Sequence, residues 1–273
     1  MEEILTQIIE KKFKTNQFEA KNVSNLGNAL VYIVSVNQQN VVVRITNNPY
    51  VIQNNVHSLK LLERFNVSPK IIDYGIINSY EYSIETFLFG DNKDKIEVKW
   101  FKKLFTKLLL IHSVKRKTCG YINNPAKKNW KDFVKDELIL KYSQKTLSKY
   151  AESKKIIEYL LENIPNCDDY FLLQGDLNEN NILFTNDDCF LFDFEGSLYG
   201  DKEYDIGYMH YRLEFSDNDL NKIITITKYN LWKIMYYAVL VGIRKVGLSP
   251  NELLKERIEK LKRIFEKLQN LKK

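Results

Sequence analysis

Residues Gln174-Gly175-Asp176-Leu177-Asn178-Glu179-Asn180-Asn181-Ile182-Leu183-Phe184 lead through Thr185 into Asn186-Asp187-Asp188, and then into Cys189-Phe190-Leu191-Phe192-Asp193-Phe194-Glu195. Two short apolar runs flanking a polar turn read as a β-hairpin. With Asn186-Asp187-Asp188 as the loop, Thr185 faces Cys189 and Asn181 faces Asp193. Directly opposed residues of an antiparallel pair share a face and sit roughly 5 Å apart. That register aims an amide oxygen and a carboxylate at one point, whereas a four-residue loop would turn them to opposite faces. Both are hard oxygen donors, suited to Mg²⁺ held together with substrate phosphates. Asp176 follows an apolar strand and a glycine just before the hairpin, where it can accept a proton from a hydroxyl attacking a metal-bound γ-phosphate. A base aspartate, an asparagine five positions later and a second aspartate downstream form the arrangement used in phosphoryl transfer by kinases.

Upstream, the first ninety residues read as a small β-rich unit. Ile4, Leu5, Ile8 and Ile9 recur at helical spacing. Strand-like runs follow over 18–23, 30–36 and 41–45, with Asn37-Gln38-Gln39-Asn40 as a hairpin loop. A helix is expected over 51–65, then strands at 71–72 and 82–87, with Gly90 closing the section. From Trp100 the character changes. Phe101, Leu104, Leu108 and Ile111 mark one helical face, and helices are expected over 130–147 and 154–161. A β insert covers 170–194, and long helices run from Tyr204 to the end. Ser249 as N-cap, Pro250 at the first helical position and Glu252 as the capping-box acid predict the start of the last helix. The fold class is therefore α+β: an N-terminal lobe over 1–90 and a helical C-terminal lobe over 91–273 with an inserted hairpin. A ligand cleft is expected between them.

Three segments carry a resemblance to a known family. Gln174-Gly175-Asp176 with Asn181 resembles the H-G-D-x-x-x-x-N loop of the aminoglycoside phosphotransferase and choline kinase superfamily. Asp193-Phe194-Glu195 resembles its D-[FW]-E metal motif, and Tyr199-Gly200-Asp201-Lys202-Glu203-Tyr204-Asp205 its G-Y-G-D-P-x-[YW]-D segment. Weaker similarity extends from the Val41-Val42-Val43-Arg44 run through Val67-Ser68-Pro69-Lys70 and Leu110-Ile111-His112-Ser113. The resemblance implies a bilobal, protein-kinase-like fold. It implies Asp176 as catalytic base, Asn181 and Asp193 as Mg²⁺ ligands, and Asp205 as the brace of the catalytic loop. Nucleotide binding, of ATP or GTP, falls to Arg44, Gly27, Asn28 and Glu85. Two departures stand out. Gln174 replaces the usual histidine, and the helix after Arg44 carries Asn54, Asn55 and His57 with no acid before Glu63, so Arg44 lacks the expected partner there.

The spacing also narrows the substrate. Only about ten residues separate Asp193 from the helix start at Tyr204-Asp205 and no A-P-E follows, which leaves little platform for a peptide. A small-molecule acceptor is expected, held by C-terminal helices, with Glu195, Tyr208 and Tyr211 as acceptor residues. An aminoglycoside would use Glu195, Glu214, Asp217 and Asp219. Choline or another amine alcohol would use the faces of Tyr208, Tyr211, Tyr236 and Tyr237. The aminoglycoside-type acceptor is the first reading; an amine-alcohol kinase and a nucleotide-binding pseudokinase are the alternatives. A net charge of +6 over 273 residues, with basic and acidic residues interleaved, gives no ground for nucleic-acid binding. Met1 is followed by Glu2 and Glu3, so no secretory leader is expected. The apolar run 234–243 is too short to span a bilayer. Three cysteines without a C-x-x-C pair fit a reducing cytoplasm. The stripe Leu254, Ile258, Leu261, Phe265 and Leu268 is expected to pack within a monomer, dimerisation through it being the alternative.

Overall fold

The chain opens with α1 (Glu2–Phe13), which buries Leu5, Ile8 and Ile9 and carries acids in its first turn and lysines in its last, as the helix dipole favours. β1 (Glu19–Ser24), β2 (Leu30–Val36) and β3 (Gln39–Thr46) follow. The β2–β3 turn is tighter than expected. Only Asn37 and Gln38 form it, at φ of 48° and 62°, a two-residue geometry that matches strand twist. Then come α2 (Val51–Leu62), β4 (Ile71–Ile77) and β5 (Tyr80–Thr86). The next elements are α3 (Val98–Ile111), β6 (Lys115–Arg116), β7 (Gly120–Tyr121) and α4 (Trp130–Phe133). A π-helical stretch (Val134–Leu140) leads from α4 into α5 (Lys141–Lys149), and α6 (Ser153–Glu162) and β8 (Tyr170–Leu173) come after it. A 3₁₀ turn (Glu179–Asn181) precedes β9 (Ile182–Phe184), β10 (Cys189–Leu191) and β11 (Leu198–Gly200). The chain ends in α7 (Glu203–Leu213), α8 (Asp217–Thr227), α9 (Leu231–Gly247) and α10 (Asn251–Gln269). This computed structural model describes residues 1–24, 28–48, 50–93, 96–123 and 129–271.

Two units emerge: Met1–Asn92 with Ile182–Ser197, and Lys93–Asn181 with Leu198–Lys273. In the first, five antiparallel strands run in the order β1-β2-β3-β5-β4. The strand period of two sorts their side chains. Val41, Val43 and Ile45 join Tyr82, Ile84 and the apolar face of α1 in one cluster. On the other face Arg44 opposes Ser83 and Val42 opposes Glu85. The β9–β10 hairpin belongs to this unit, tied by backbone hydrogen bonds from Leu191 to Val67 and between Asp91 and Phe184. Gly90 permits the approach, because a Cβ there would lie 2.5 Å from the Phe184 carbonyl oxygen.

The hairpin corrects the expected register. Cys189 pairs with Phe184 and Leu191 with Ile182. Thr185 takes Asp188 into the turn: its N–H donates to the Asp188 carbonyl and its Oγ1 accepts from the Asp188 N–H, both at 2.9 Å. The loop is thus two residues, and the ladder shifts by one. Asn181 and Asp193 are not opposed on it. Instead Asn181 ends a 3₁₀ turn, and Asp193 leaves its strand at φ 62°, a conformation that a non-glycine residue adopts at a cost of order 1–3 kcal/mol.

In the second unit a four-stranded sheet has the order β6-β8-β11-β7. α9 is the central helix, with most of its side chains buried, as the apolar run 234–243 predicted. α7 crosses it closely at Gly207, where a Cβ would meet the Tyr237 Cβ at 2.6 Å. α10 packs on α9 through buried Leu261, Ile264 and Leu268. Its start differs from expectation. Pro250 is the N-cap, the helix begins at Asn251, and no side chain caps it. The Ser249 hydroxyl donates to the Pro250 carbonyl instead, so no capping box forms. Among the described residues no helix is long and apolar enough to cross a membrane.

Candidate functional site

In the first unit the polar face of β3 and β5 meets α2. Arg44 is buried there, its Nε 3.2 Å from Glu85 and its Nη1 3.0 Å from Asp193. Burial opposes the guanidinium charge, but the carboxylates of Glu85, Asp193 and Glu195 outweigh it and raise the Arg44 pKa. Glu85 also accepts hydrogen bonds from Asn55 Nδ2 (2.7 Å) and Ser83 Oγ (2.9 Å). Asn55 Oδ1 in turn accepts the Phe194 N–H at 3.0 Å. The acid absent from α2 is therefore supplied by β5, and an asparagine on α2 ties that acid to the Asp193-Phe194-Glu195 segment. Glu85, expected among nucleotide-binding residues, is buried and turned to Arg44.

The polar face of α2 holds the rest of this segment. Asn54 Nδ2 donates to the carbonyls of Glu195 (2.7 Å) and Ser197 (2.9 Å). Ser58 and Ser197 share a hydroxyl hydrogen bond of 2.6 Å. Asn28 donates to Glu195 Oε1 at 2.7 Å, and its carbonyl accepts from Thr46 Oγ1. Thus Glu195, expected at the acceptor, is bonded to Asn28, expected at the nucleotide. Gly27 lies outside the described residues. Sequence reasoning missed the Glu85–Arg44–Asn55 set, because it depends on which strands pair. Arg44 opposite Ser83 puts Glu85 on the same face at the diagonal position, within reach of a long side chain.

In the second unit Asp205, at the start of α7, braces the loop before Asp176. It accepts the backbone N–H groups of Gln174 and Gly175, each at 2.9 Å. His112 Nε2 lies 3.0 Å from the same carboxylate, and its Nδ1 lies 2.6 Å from the Tyr229 hydroxyl. The Gln174 side chain, where a histidine is usual, accepts the Asp176 N–H at 2.8 Å and so holds the loop. The Asp176 carbonyl accepts from Asn178 Nδ2 (2.6 Å) and Asn181 Nδ2 (3.0 Å). Asn181 thereby commits its amide nitrogen to the loop.

The surroundings of Asp176 on α9 are cationic. Its carboxylate acts on both Arg244 and Lys245. Burial pushes the Lys245 ammonium down to about 8; Asp176 opposes this, and Arg244, Arg212 and Arg257 add to it. Tyr208 is fully buried, so it cannot present a face to an acceptor, while Tyr211 is buried but lines a cavity. His210 is buried against Phe215, and burial pushes its pKa down to about 4, so it is a neutral core residue. Among the described residues no cluster of three or more His, Cys, Asp or Glu side chains is arranged to hold a metal ion by itself.

The pattern of the Phosphotransferase enzyme family matches residues 21–225. No curated protein matches the chain in sequence. Among solved structures, the fold is similar to that of a thermostable mutant of the aminoglycoside phosphotransferase APH(4)-Ia in ternary complex with ADP and hygromycin B. The TM-score is 0.72 at 12% identity, over 97% of this chain and 98% of that chain. It is also similar to the spectinomycin phosphotransferase APH(9)-Ia in complex with ADP and spectinomycin, with a TM-score of 0.62 at 14% identity, over 97% and 93% of the two chains. A protein assigned as a fructosamine-3-kinase from Thermobifida fusca gives 0.73 at 12% identity, over 96% and 98%.

Proposed function

The chain belongs to the Phosphotransferase enzyme family, and from that premise we propose that it transfers the γ-phosphate of ATP to a hydroxyl group of a small molecule. The observation that carries this reading is the run of contacts from Glu85 through Arg44 to Asp193, locked to Phe194 by Asn55. It fixes a guanidinium against the first residue of the Asp193-Phe194-Glu195 motif, where a cation can meet nucleotide phosphates. ATP is preferred to GTP as donor because the two aminoglycoside phosphotransferase structures above contain ADP. We assign nucleotide binding to residues 1–90 and acceptor binding to residues 91–273, in a cytoplasmic protein.

The donor atoms suit Mg²⁺. Three carboxylates act on the single Arg44 guanidinium, leaving two negative charges for a divalent cation to balance. Asp193 and the Oδ1 of Asn181 would be its protein ligands, both hard oxygens. Bound Mg²⁺ would neutralise charge on the phosphates during transfer. Asp176 takes the proton of the acceptor hydroxyl as its oxygen bonds to the γ-phosphorus, the bond to the β–γ bridging oxygen breaks, and ADP leaves. Glu85 takes the place of the acid missing from α2, which answers one ground for the pseudokinase alternative.

Calorimetry of Mg²⁺-ATP binding tests the reading. The wild-type chain is expected to bind, and Arg44→Lys, which keeps the charge but loses the fork that engages two carboxylates, should weaken binding by about tenfold, the scale of one charge-assisted hydrogen bond. Absence of Mg²⁺-ATP binding to the wild type contradicts the proposal.

A further inference from the structure

α7, α9 and α10 of the second unit enclose a cavity of about 130 Å³ whose lining includes Tyr211, Arg212, Lys245, Glu256, Arg257 and Lys260. Four cations thus face one carboxylate. Arg212 is paired with Glu179 and Lys260 with Glu214. No carboxylate of the described residues lies within ion-pair range of Lys245 or Arg257. Arg257 donates to the Lys245 carbonyl, and the Lys245 ammonium lies 5.0 Å from the Tyr208 ring centre. The Tyr211 side chain is 3% exposed, and its hydroxyl has no hydrogen-bond partner. The buried hydroxyl of Tyr208, beneath Lys245, and the Nε of Arg244 beside it are likewise without an acceptor. A buried donor left unsatisfied costs about 1–3 kcal/mol. The site therefore offers donors and positive charge and is short of acceptors.

Most of the groups a cationic acceptor needs are already engaged within the protein, several of them by its own cations. Glu214 pairs with Arg263 at 2.9 Å and Asp217 with Lys267 at 2.9 Å, while Asp219 accepts from Ser216 Oγ at 2.7 Å. Lys245 covers the ring of Tyr208, and Lys260 covers that of Tyr211 at 5.6 Å. Tyr236 and Tyr237 are fully buried, with their hydroxyls on the Leu160 carbonyl and on Asp201. The volume points the same way. Pockets that enclose a drug-sized ligand run to about 300–1,000 Å³, so this one admits a charged group and a few carbons rather than several sugar rings.

We propose that the acceptor is an anion, a small hydroxylated molecule whose carboxylate or phosphate group is anchored by Lys245, Arg257 and Tyr211, with its hydroxyl presented to Asp176. This rests on the phosphotransferase reading and names its substrate class. In the reaction the acceptor hydroxyl loses its proton to Asp176 and its oxygen bonds to the γ-phosphorus of ATP. The β–γ bridging bond breaks, and the products are ADP and an acceptor phosphate ester. The acceptor's own anionic group is unchanged.

Hexoses that differ in charge test this with the full-length chain. Transfer of labelled phosphate from ATP with Mg²⁺ is measured for glucuronate, glucose 6-phosphate, glucose and glucosamine, with kanamycin as a polycation, and binding of each is measured by calorimetry. At least one of the two anions is expected to exceed glucose and glucosamine by tenfold or more in kcat/KM or in affinity. Lys245→Gln should shrink that ratio by raising KM for the anion several-fold more than KM for glucose. Lys245→Arg, which keeps the charge, should restore it. The inference is overturned if glucosamine or kanamycin matches or exceeds both anions, if neither anion binds or accepts phosphate better than glucose, or if Lys245→Gln leaves the ratio unchanged. In each of those outcomes intact Mg²⁺-ATP binding leaves the phosphotransferase reading standing, and its absence removes that reading as well.

Discussion

Arg44 and Asp176 sit in opposite electrostatic settings. Around Arg44 one guanidinium meets three carboxylates, Glu85, Asp193 and Glu195. Near Asp176 one carboxylate acts on Arg244 and Lys245, with Arg212 and Arg257 adding to the positive field at Lys245. The first region is short of positive charge and suits a divalent cation; the second is short of negative charge and suits an anion. A net charge of +6 describes neither. Two unit charges 4 Å apart interact by about 4 kcal/mol at an effective dielectric of 20, so local sign selects the ligand more strongly than composition does.

The largest effect should come from unbalancing the first region. Arg44→Ala leaves Glu85 buried without its cation, and such a break costs about 3–5 kcal/mol. Urea unfolding should show that loss, and Arg44→Ala combined with Glu85→Gln should recover most of it. Equal stability of the single variant and the wild type would mean that the contrast has no energetic content.

His210 sharpens the other side of the comparison. Burial is the main cause of its depressed pKa of about 4, and Lys267 adds to it, against a usual 6.5. The unfolded chain binds the extra proton between these values, so stability is full above pH 6.5 and falls as pH drops towards 4, by up to about 3 kcal/mol. Acid unfolding of His210→Phe should lack that component. An unchanged acid profile would show that His210 takes its proton in the folded state.

A smaller effect separates the two signs of acceptor. Lys245 faces Asp176 from the catalytic loop, Arg212 and Tyr208 from α7, Arg257 from α10 and Arg244 on its own helix. With its pKa near 8, KM for an anionic acceptor should rise by about tenfold between pH 7 and 9, the scale of one charge-assisted hydrogen bond. Lys245→Arg should flatten the profile. A KM that falls over that range would reverse the sign assigned to the site.

What the sequence disclosed and what it hid divide along a physical line. The motifs around Asp176, the apolar run of α9 and most of the longer strands and helices are local patterns, and they were legible. The hairpin register was not, because the Thr185 side chain closes the turn one residue tighter than the polar run suggests. Nor was the start of α10, where the Ser249 hydroxyl turns to a carbonyl instead of capping the helix. Glu85 was named as a site residue without its pairing to Arg44, which depends on which strands are neighbours. The pairing of the acids named for a cationic acceptor was hidden for the same reason. Glu214, Asp217 and Asp219 are acids in the chain, but their partners on α10 and at the N-cap of α8 become visible only once the helices have packed.

The central claim is that Asp176 receives the proton in a phosphoryl transfer from Mg²⁺-ATP. Single-turnover transfer by Asp176→Asn, with an acceptor that the wild type uses, tests it most directly when Mg²⁺-ATP affinity is measured on the same sample. The substitution keeps the shape of the loop held by Asp205 and removes the proton acceptor. The rate should fall by about 10²–10⁴-fold, the usual contribution of a general base, with nucleotide affinity unchanged. Wild-type transfer by Asp176→Asn would contradict the mechanism.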